Sequence, residues 1–264
     1  MTRLLLVFGL AMCLACSEDG PARSSEGALP PDPVVTVRQD AGALALLDRA
    51  DAVLYSPLLA GLHDVTYRFK TTRRPKVAVE VRWVEPDHVR SELALDADAG
   101  AATQNWTRVG GPKHLRDATS LVDLVVGTPN RAQYKGDEII LQSAGHVKIV
   151  ARSERSLSRS LVEAVITFGD DGLPTCMETQ TVNSKIILVP TYRRGPGGRW
   201  LVDKVDTRIE GGGKTRSTVM SFEYQRIGPY TMPHRVTLHG LDEEVVQEYL
   251  DIHVDQGLSK EQIR

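Results

Sequence analysis

Apolar residues recur at every second position through most of the chain between residues 63 and 254, and this alternation constrains the fold more than any other feature. Val65, Tyr67 and Phe69, for example, alternate with polar residues. A period of two gives a β-strand one apolar face and one polar face. Turn-forming residues interrupt the alternation at hairpin spacing, at 145, 169–172, 195–198, 211–213 and 228–229. The pattern therefore predicts successive antiparallel strands.

The alternation gives thirteen candidate strands, at 65–70, 77–84, 88–95, 105–109, 137–142, 146–152, 160–169, 175–182, 185–192, 199–209, 216–226, 233–240 and 245–254. The sequence Gly211-Gly212-Gly213-Lys214 superficially resembles a phosphate-binding loop. It lies between two strands, however, and lacks the first glycine of that motif, so a hairpin turn is the preferred interpretation.

Two helices are predicted by apolar residues at helical spacing. The first covers residues 40–55, with Asp40 as its N-cap and Pro57 after its end; the second covers 113–126 and ends at Gly127. This order predicts an α+β fold that is mainly antiparallel β: one highly curved sheet or incomplete barrel, with helices covering the concave face. A single domain over residues 40–264 is expected, and a two-domain split near residue 130 is the alternative.

The N-terminus reads as a secretory signal peptide over residues 1–15. Arg3 precedes an uncharged apolar segment from Leu4 to Ala15. As a helix this segment would be about 18 Å long, too short for a bilayer core of about 30 Å. Residues 16–39 are rich in Pro, Gly and Ser and predict a flexible tether.

Leu14-Ala15-Cys16 resembles a bacterial lipobox, which makes Cys16 the predicted lipid-attachment residue, carrying acyl chains such as palmitate. Ser17 follows it, where an inner-membrane retention signal would have Asp, so we expect an outer-membrane lipoprotein facing the periplasm. The alternative is ordinary signal cleavage near Ala15, which releases a soluble periplasmic protein.

Composition excludes some partners. The formal charge is −2 with both signs interspersed, and aromatic residues make up only 5%, so nothing indicates nucleic-acid binding. With Cys13 in the signal peptide and Cys16 lipidated, Cys176 is the one thiol left in the body of the protein. It is expected to be a packed structural thiol because its segment alternates like a strand.

The layout resembles that of the periplasmic lipoprotein carrier and outer-membrane lipoprotein receptor (LolA/LolB-like) superfamily. The similar segments are the strand 64–69 after a helix, the Gly-Asp-Asp-Gly-Leu-Pro turn at 169–174, and the later strands 199–206, 221–224 and 230–236. The resemblance covers residues 40–254. It implies an apolar cavity between a curved sheet and its helices that holds acyl chains, with no catalytic residues.

Catalytic motifs are missing from the sequence. It contains no G-x-S-x-G elbow and no Walker loop. Its histidines form no close metal-binding pair; they lie at 63, 88, 114, 146, 234, 239 and 253. Asp123, Asp170 and Asp171 are interpreted as turn or solvated-face residues, together with Asp203 and Asp206. We therefore expect no enzyme activity, no metal and no cofactor.

Two functions remain open at this point. The first is a tethered periplasmic protein that binds an acyl chain, lipid or lipoprotein in lipid or lipoprotein trafficking. The alternative is a non-catalytic cell-envelope structural or interaction protein that docks a partner through an edge strand or a loop.

Overall fold

The structure, a computed structural model, describes residues 37–72, 78–85, 88–94, 122–153, 160–240 and 244–263, with 88–94 described by its backbone. The predicted signal peptide, Cys16 and most of the predicted tether lie outside these residues. So do the predicted strand 105–109 and the first part of the predicted helix 113–126.

Twelve strands form one sheet in which every pairing is antiparallel. They are β1 (Asp64–Thr71), β2 (Ala78–Val84), β3 (His88–Ala94), β4 (Glu138–Ser143), β5 (His146–Val150), β6 (Leu161–Phe168), β7 (Pro174–Thr181), β8 (Lys185–Arg194), β9 (Trp200–Gly211), β10 (Lys214–Ile227), β11 (Tyr230–His239) and β12 (Val245–Val254). The prediction of a mainly antiparallel β-fold is confirmed.

The strand order is β3-β2-β1-β12-β11-β10-β9-β8-β7-β6-β5-β4, so β3 and β4 are the edges of an open sheet. All neighbours are consecutive in sequence except β1 and β12, which pair in the interior of the sheet. This pairing joins the meander β1–β3 to the meander β4–β12.

Alternating burial shows that one face of the sheet carries the core; we call it the buried face. On β1, Val65, Tyr67 and Phe69 are buried, and on β12 Val245 and Tyr249 are. The alternation on β12 shifts by one residue at Asp251, which has a positive φ of 49° and marks a bulge opposite β1. The bulge returns Ile252 to the buried face.

Within the residues that the structure describes, three α-helices accompany the sheet: α1 (Ala41–Val53), α2 (Val122–Val126) and α3 (Asn130–Gln133), with short 3₁₀ turns at Leu58–Ala60, Pro196–Gly198 and Lys260–Ile263. Ala43, Leu47 and Ala50 are buried on one face of α1, at the i, i+4, i+7 spacing of a helix. The helix contacts α3 and strands β4 and β5, while α2 contacts β11. That helices cover a concave face as a layer stays a prediction.

Asp40 does not act as its position suggests. It stands at the N-cap of α1, but its side chain makes no capping hydrogen bond. Its carboxylate instead pairs with Arg38 at 3.0 Å and accepts the Leu141 N–H of the edge strand β4. The backbone of 38–40 forms a parallel bridge with Ile139 of β4. Residues 38–40 therefore cover part of this edge.

Two carboxylates fasten the C-terminal segment to β1. Asp64, which is 3% exposed, accepts three backbone N–H groups, from Gln256, Gly257 and Leu258, at 2.9–3.1 Å. Asp255 accepts the His63 N–H at 2.9 Å. Because charge-assisted hydrogen bonds to backbone donors are among the stronger ones, this arrangement holds residues 255–258 against the start of β1.

The turn at 211–213 is a hairpin, as predicted. Gly211 pairs with Lys214, and Gly212 and Gly213 have φ values of 57° and 73°. Two consecutive residues with positive φ are typical of the tight turn that matches the twist of a two-stranded ribbon. The segment therefore joins β9 to β10 and does not precede a helix, as a phosphate-binding loop would.

Candidate ligand-binding site

Two tyrosines meet on the buried face, and we call them the tyrosine pair: Tyr67 of β1 and Tyr249 of β12. Tyr249 is paired in register with Phe69, two residues beyond Tyr67, so all three side chains lie on one face. The tyrosine rings are 5.6 Å apart in an edge-to-face arrangement, and the Phe69 ring lies 5.7 Å from that of Tyr249. The neighbouring strands thus build an aromatic cluster with two hydroxyl groups.

Both hydroxyls are buried without a hydrogen-bond partner in the described part of the chain. Each tyrosine is 0% exposed. A buried donor without a partner costs about 1–3 kcal/mol, and such groups are rare in folded proteins. Burial raises the pKa of both phenols above the ordinary value. They therefore remain neutral O–H donors across the physiological pH range.

A buried carboxylate on α2 acts electrostatically on Tyr67 of the tyrosine pair. Asp123 of α2 is only 6% exposed and accepts the Thr128 hydroxyl at 2.7 Å. After burial and Tyr249, Asp123 is a further cause of the raised pKa of Tyr67. The prediction that Asp123 is a solvated or turn residue is wrong, because all five residues of α2 are buried.

Further buried polar atoms on the strands lack a partner within the described residues. Gln247 lies two residues before Tyr249 and therefore on the same face, and its Oε1 atom is one of them. The hydroxyls of Thr179 on β7 and Thr207 on β9 are others. In α3, both polar atoms of the Gln133 side chain are also buried without a partner. The buried region is thus apolar with scattered hydrogen-bonding groups.

The other candidate groups from the sequence are dispersed. His63 bonds Glu85 at 2.9 Å, which raises its pKa, and His239 bonds Glu244 at 2.9 Å. His146 lies 3.1 Å from the Ser143 hydroxyl. Among the residues that the structure describes, no group of three or more His, Cys, Asp or Glu side chains is arranged to hold a metal ion.

Cys176, predicted to be a packed structural thiol in a strand, lies on β7. It is half-buried and neighbours the fully buried Met177 on β7, so it points to the face opposite the buried one. Burial, then Glu178, raises the pKa of its thiol, while Lys185 acts in the opposite direction. The raised pKa keeps it in the thiol form, which is a poor nucleophile. Cys16, the predicted lipid-attachment residue, lies outside the described residues.

The fold and this site define a class: an open antiparallel β-sheet protein whose interior holds a pair of buried tyrosines. No protein-family model matches the chain, and a search of curated proteins gives no match. A crystal structure of an outer membrane lipoprotein-sorting protein domain from Vibrio parahaemolyticus shares 10% identity at a TM-score of 0.36, over 84% of this chain and 96% of that one. A TM-score this low does not establish a common fold. Across the described part of the chain, no helix has the length and apolar character needed to cross a bilayer.

Proposed function

We propose that this protein is a lipid-tethered component of the bacterial cell envelope that binds an acyl chain, lipid or acylated protein against the buried face of its sheet. It acts by sequestering the ligand and catalyses no reaction. The observation that carries the proposal is the buried face itself. It carries a cluster of buried apolar side chains that also contains buried hydrogen-bonding groups without partners among the described residues, and ligand sites combine an apolar lining with a few polar groups in the same way.

The energetics suit a reversible carrier. Burying an acyl chain is worth about 0.8 kcal/mol for each CH₂ group relative to water. A chain in a bilayer is already out of water, so its transfer to an apolar protein interior is nearly balanced. Small differences, such as hydrogen bonds to a polar group of the ligand, then decide which lipid is held.

The predicted tether places the sheet within reach of the membrane. A lipid on Cys16 is joined to the described domain at Arg38, where the chain meets the edge of β4. Fully extended, such a segment reaches about 75 Å. The anchor therefore permits contact with the membrane without fixing the distance from it.

Docking a partner strand on β4 is the weaker alternative. The outward N–H groups of Ile139 and Leu141 are already bonded, to the Arg38 carbonyl and the Asp40 carboxylate. An edge strand recruits a partner through free backbone groups of this kind, so this edge is partly blocked.

The test is mass spectrometry of the protein expressed in bacteria with its signal peptide, purified in detergent from whole cells, delipidated and mixed with phospholipid vesicles. We expect a non-covalent lipid adduct in native spectra, and a covalent lipid in denaturing spectra. Cys16→Ser separates the two, because it removes the covalent lipid and keeps the non-covalent adduct. Failure of both the unchanged chain and Cys16→Ser to retain any phospholipid contradicts the proposed binding.

A further inference from the structure

We propose that the tyrosine pair receives an uncharged carbonyl oxygen of the ligand, so that the protein prefers acyl esters or amides over free fatty acids of the same chain length. This inference rests on the proposed function and specifies its ligand class.

The two tyrosine hydroxyls call for a hydrogen-bond acceptor. Tyr67 and Tyr249 each present a phenolic O–H with no partner in the described residues, on the same face of adjacent strands. A phenol is a donor and a weak acceptor. The ligand group that would satisfy these two donors is therefore a hydrogen-bond acceptor, such as a carbonyl oxygen. An acyl chain without any polar group would leave both hydroxyls unbonded.

The surroundings of the tyrosine pair disfavour an acceptor that carries a negative charge. Asp123 is buried and acts on Tyr67 electrostatically. Placing the carboxylate of a fatty acid beside these fully buried tyrosines would bury a negative charge in a medium of low dielectric constant, which is costly. An ester or amide carbonyl accepts the same hydrogen bonds without that charge. The surroundings thus favour a neutral acceptor.

Apolar side chains lie beside the two tyrosines. Phe69 contacts Tyr249, and Val81 of β2 lies directly opposite Tyr67. The side chains of Phe69 and Val81 are almost fully and fully buried, respectively. Hydrocarbon next to the carbonyl of a bound lipid therefore meets apolar side chains. The site matches the junction between a polar linkage and its acyl chain.

The experiment is a native mass-spectrometry titration of the full-length protein with monopalmitoylglycerol and with palmitate at neutral pH. The unchanged protein is expected to bind the ester at least about tenfold more tightly. Tyr67→Phe combined with Tyr249→Phe is expected to weaken ester binding about tenfold, because two hydrogen bonds are lost, and to leave palmitate binding nearly unchanged.

Tyr192→Phe is the matched control, since the Tyr192 hydroxyl already donates to the Pro174 carbonyl, away from the tyrosine pair. It should leave both affinities unchanged, and circular dichroism verifies that each variant is folded. Equal binding of ester and palmitate by the unchanged protein, or an unaffected ester affinity in the double variant, overturns the inference alone. Binding of neither lipid overturns the proposed function as well.

Discussion

At the scale of single residues, the tyrosine pair couples stability to binding. A hydroxyl that is bonded to water in the unfolded chain and to nothing in the folded one opposes folding. Tyr67 and Tyr249 keep such hydroxyls where phenylalanine would fill the same space. Groups that reduce stability in the absence of ligand are common at functional sites, because binding requires them.

The stability of the lipid-free protein provides a direct prediction. Tyr67→Phe should raise the free energy of unfolding by up to about 1 kcal/mol, because it removes an unbonded buried hydroxyl. Tyr192→Phe should lower it by about 1 kcal/mol, because its 2.7 Å hydrogen bond to Pro174 is lost. Urea denaturation followed by circular dichroism measures both changes. Loss of stability in Tyr67→Phe as large as in Tyr192→Phe would show that the Tyr67 hydroxyl has a partner.

Asp255 gives a pH-dependent prediction. Burial acts to raise its pKa, but hydrogen bonds from the Tyr230 hydroxyl and the backbone of His63 and Asp64 outweigh this and lower the pKa below 3.8. Its stabilising contribution is therefore present above about pH 4 and is lost as the pH falls through the lowered pKa. The same contact raises the pKa of Tyr230 to about 12, after burial.

Asp255→Asn should therefore be less stable than the unchanged protein at pH 6, and the difference should shrink below about pH 4. Thermal unfolding across this range measures it. A stability difference that stays constant from pH 6 to pH 3 would mean that the ionised carboxylate does not stabilise the folded chain. Asp251→Asn, at an exposed ion pair with Arg68, is the control.

At the scale of elements, the segment 38–40 protects the edge strand β4. It bonds the outward groups of Ile139 and Leu141, and the Leu141 side chain there is 40% exposed. An open edge with an exposed apolar side chain invites pairing with another chain. The protection comes from a side chain that the sequence pattern assigned to helix capping.

Asp40→Ala should therefore promote self-association, because it frees the Leu141 N–H and removes a charge from the edge. Sedimentation velocity over a range of concentrations should show more dimer than the unchanged protein shows. Asp48→Ala breaks an exposed ion pair between Asp48 of α1 and Arg131 of α3, and it should not have this effect. Identical sedimentation of the three proteins would indicate that Asp40 does not protect the edge.

The strands could be predicted because their alternation is a local signal. β12 was predicted at 245–254 and is observed at those residues, and β9 differs by one or two residues at its ends. The sequence pattern did not predict features that depend on contacts between residues distant in the sequence. The four-residue helix α3 is too short for a periodic signal, and its backbone is bonded to Asp51 of α1. Asp123 was predicted to be a turn or solvated-face residue but is buried in α2, a helix that contacts β11.

At the scale of the whole molecule, the site depends on the pairing of β1 with β12, the two neighbouring strands that are farthest apart in the sequence. Tyr67 and Tyr249 come together because β1 pairs with β12, and no period within either strand specifies that neighbour. The sequence therefore predicts two strands with an inward tyrosine each, but not the tyrosine pair. The resemblance to lipoprotein carriers, the signal peptide and the lipid on Cys16 stay predictions.

Trp83 offers the most direct measurement of whether a lipid enters the interior. It is 2% exposed on β2, directly opposite Val65 and two register positions from the Tyr67–Val81 pair. Trp200 is a reporter on β9, five strands from β2 in the sheet, where it is half-buried beneath Arg194 at the margin of the core. Fluorescence quenching by a monoacylglycerol brominated along its chain separates the two positions, since bromine quenches only at close range.

In Trp106→Phe combined with Trp200→Phe, the remaining Trp83 emission should be strongly quenched by saturating brominated lipid. In Trp83→Phe combined with Trp106→Phe, shown by circular dichroism to be folded, the Trp200 emission should be nearly unchanged. This pattern is the one expected for a ligand held against the buried face beside the tyrosine pair. Unquenched Trp83 emission at saturation, or quenching of Trp200 alone, would contradict the account.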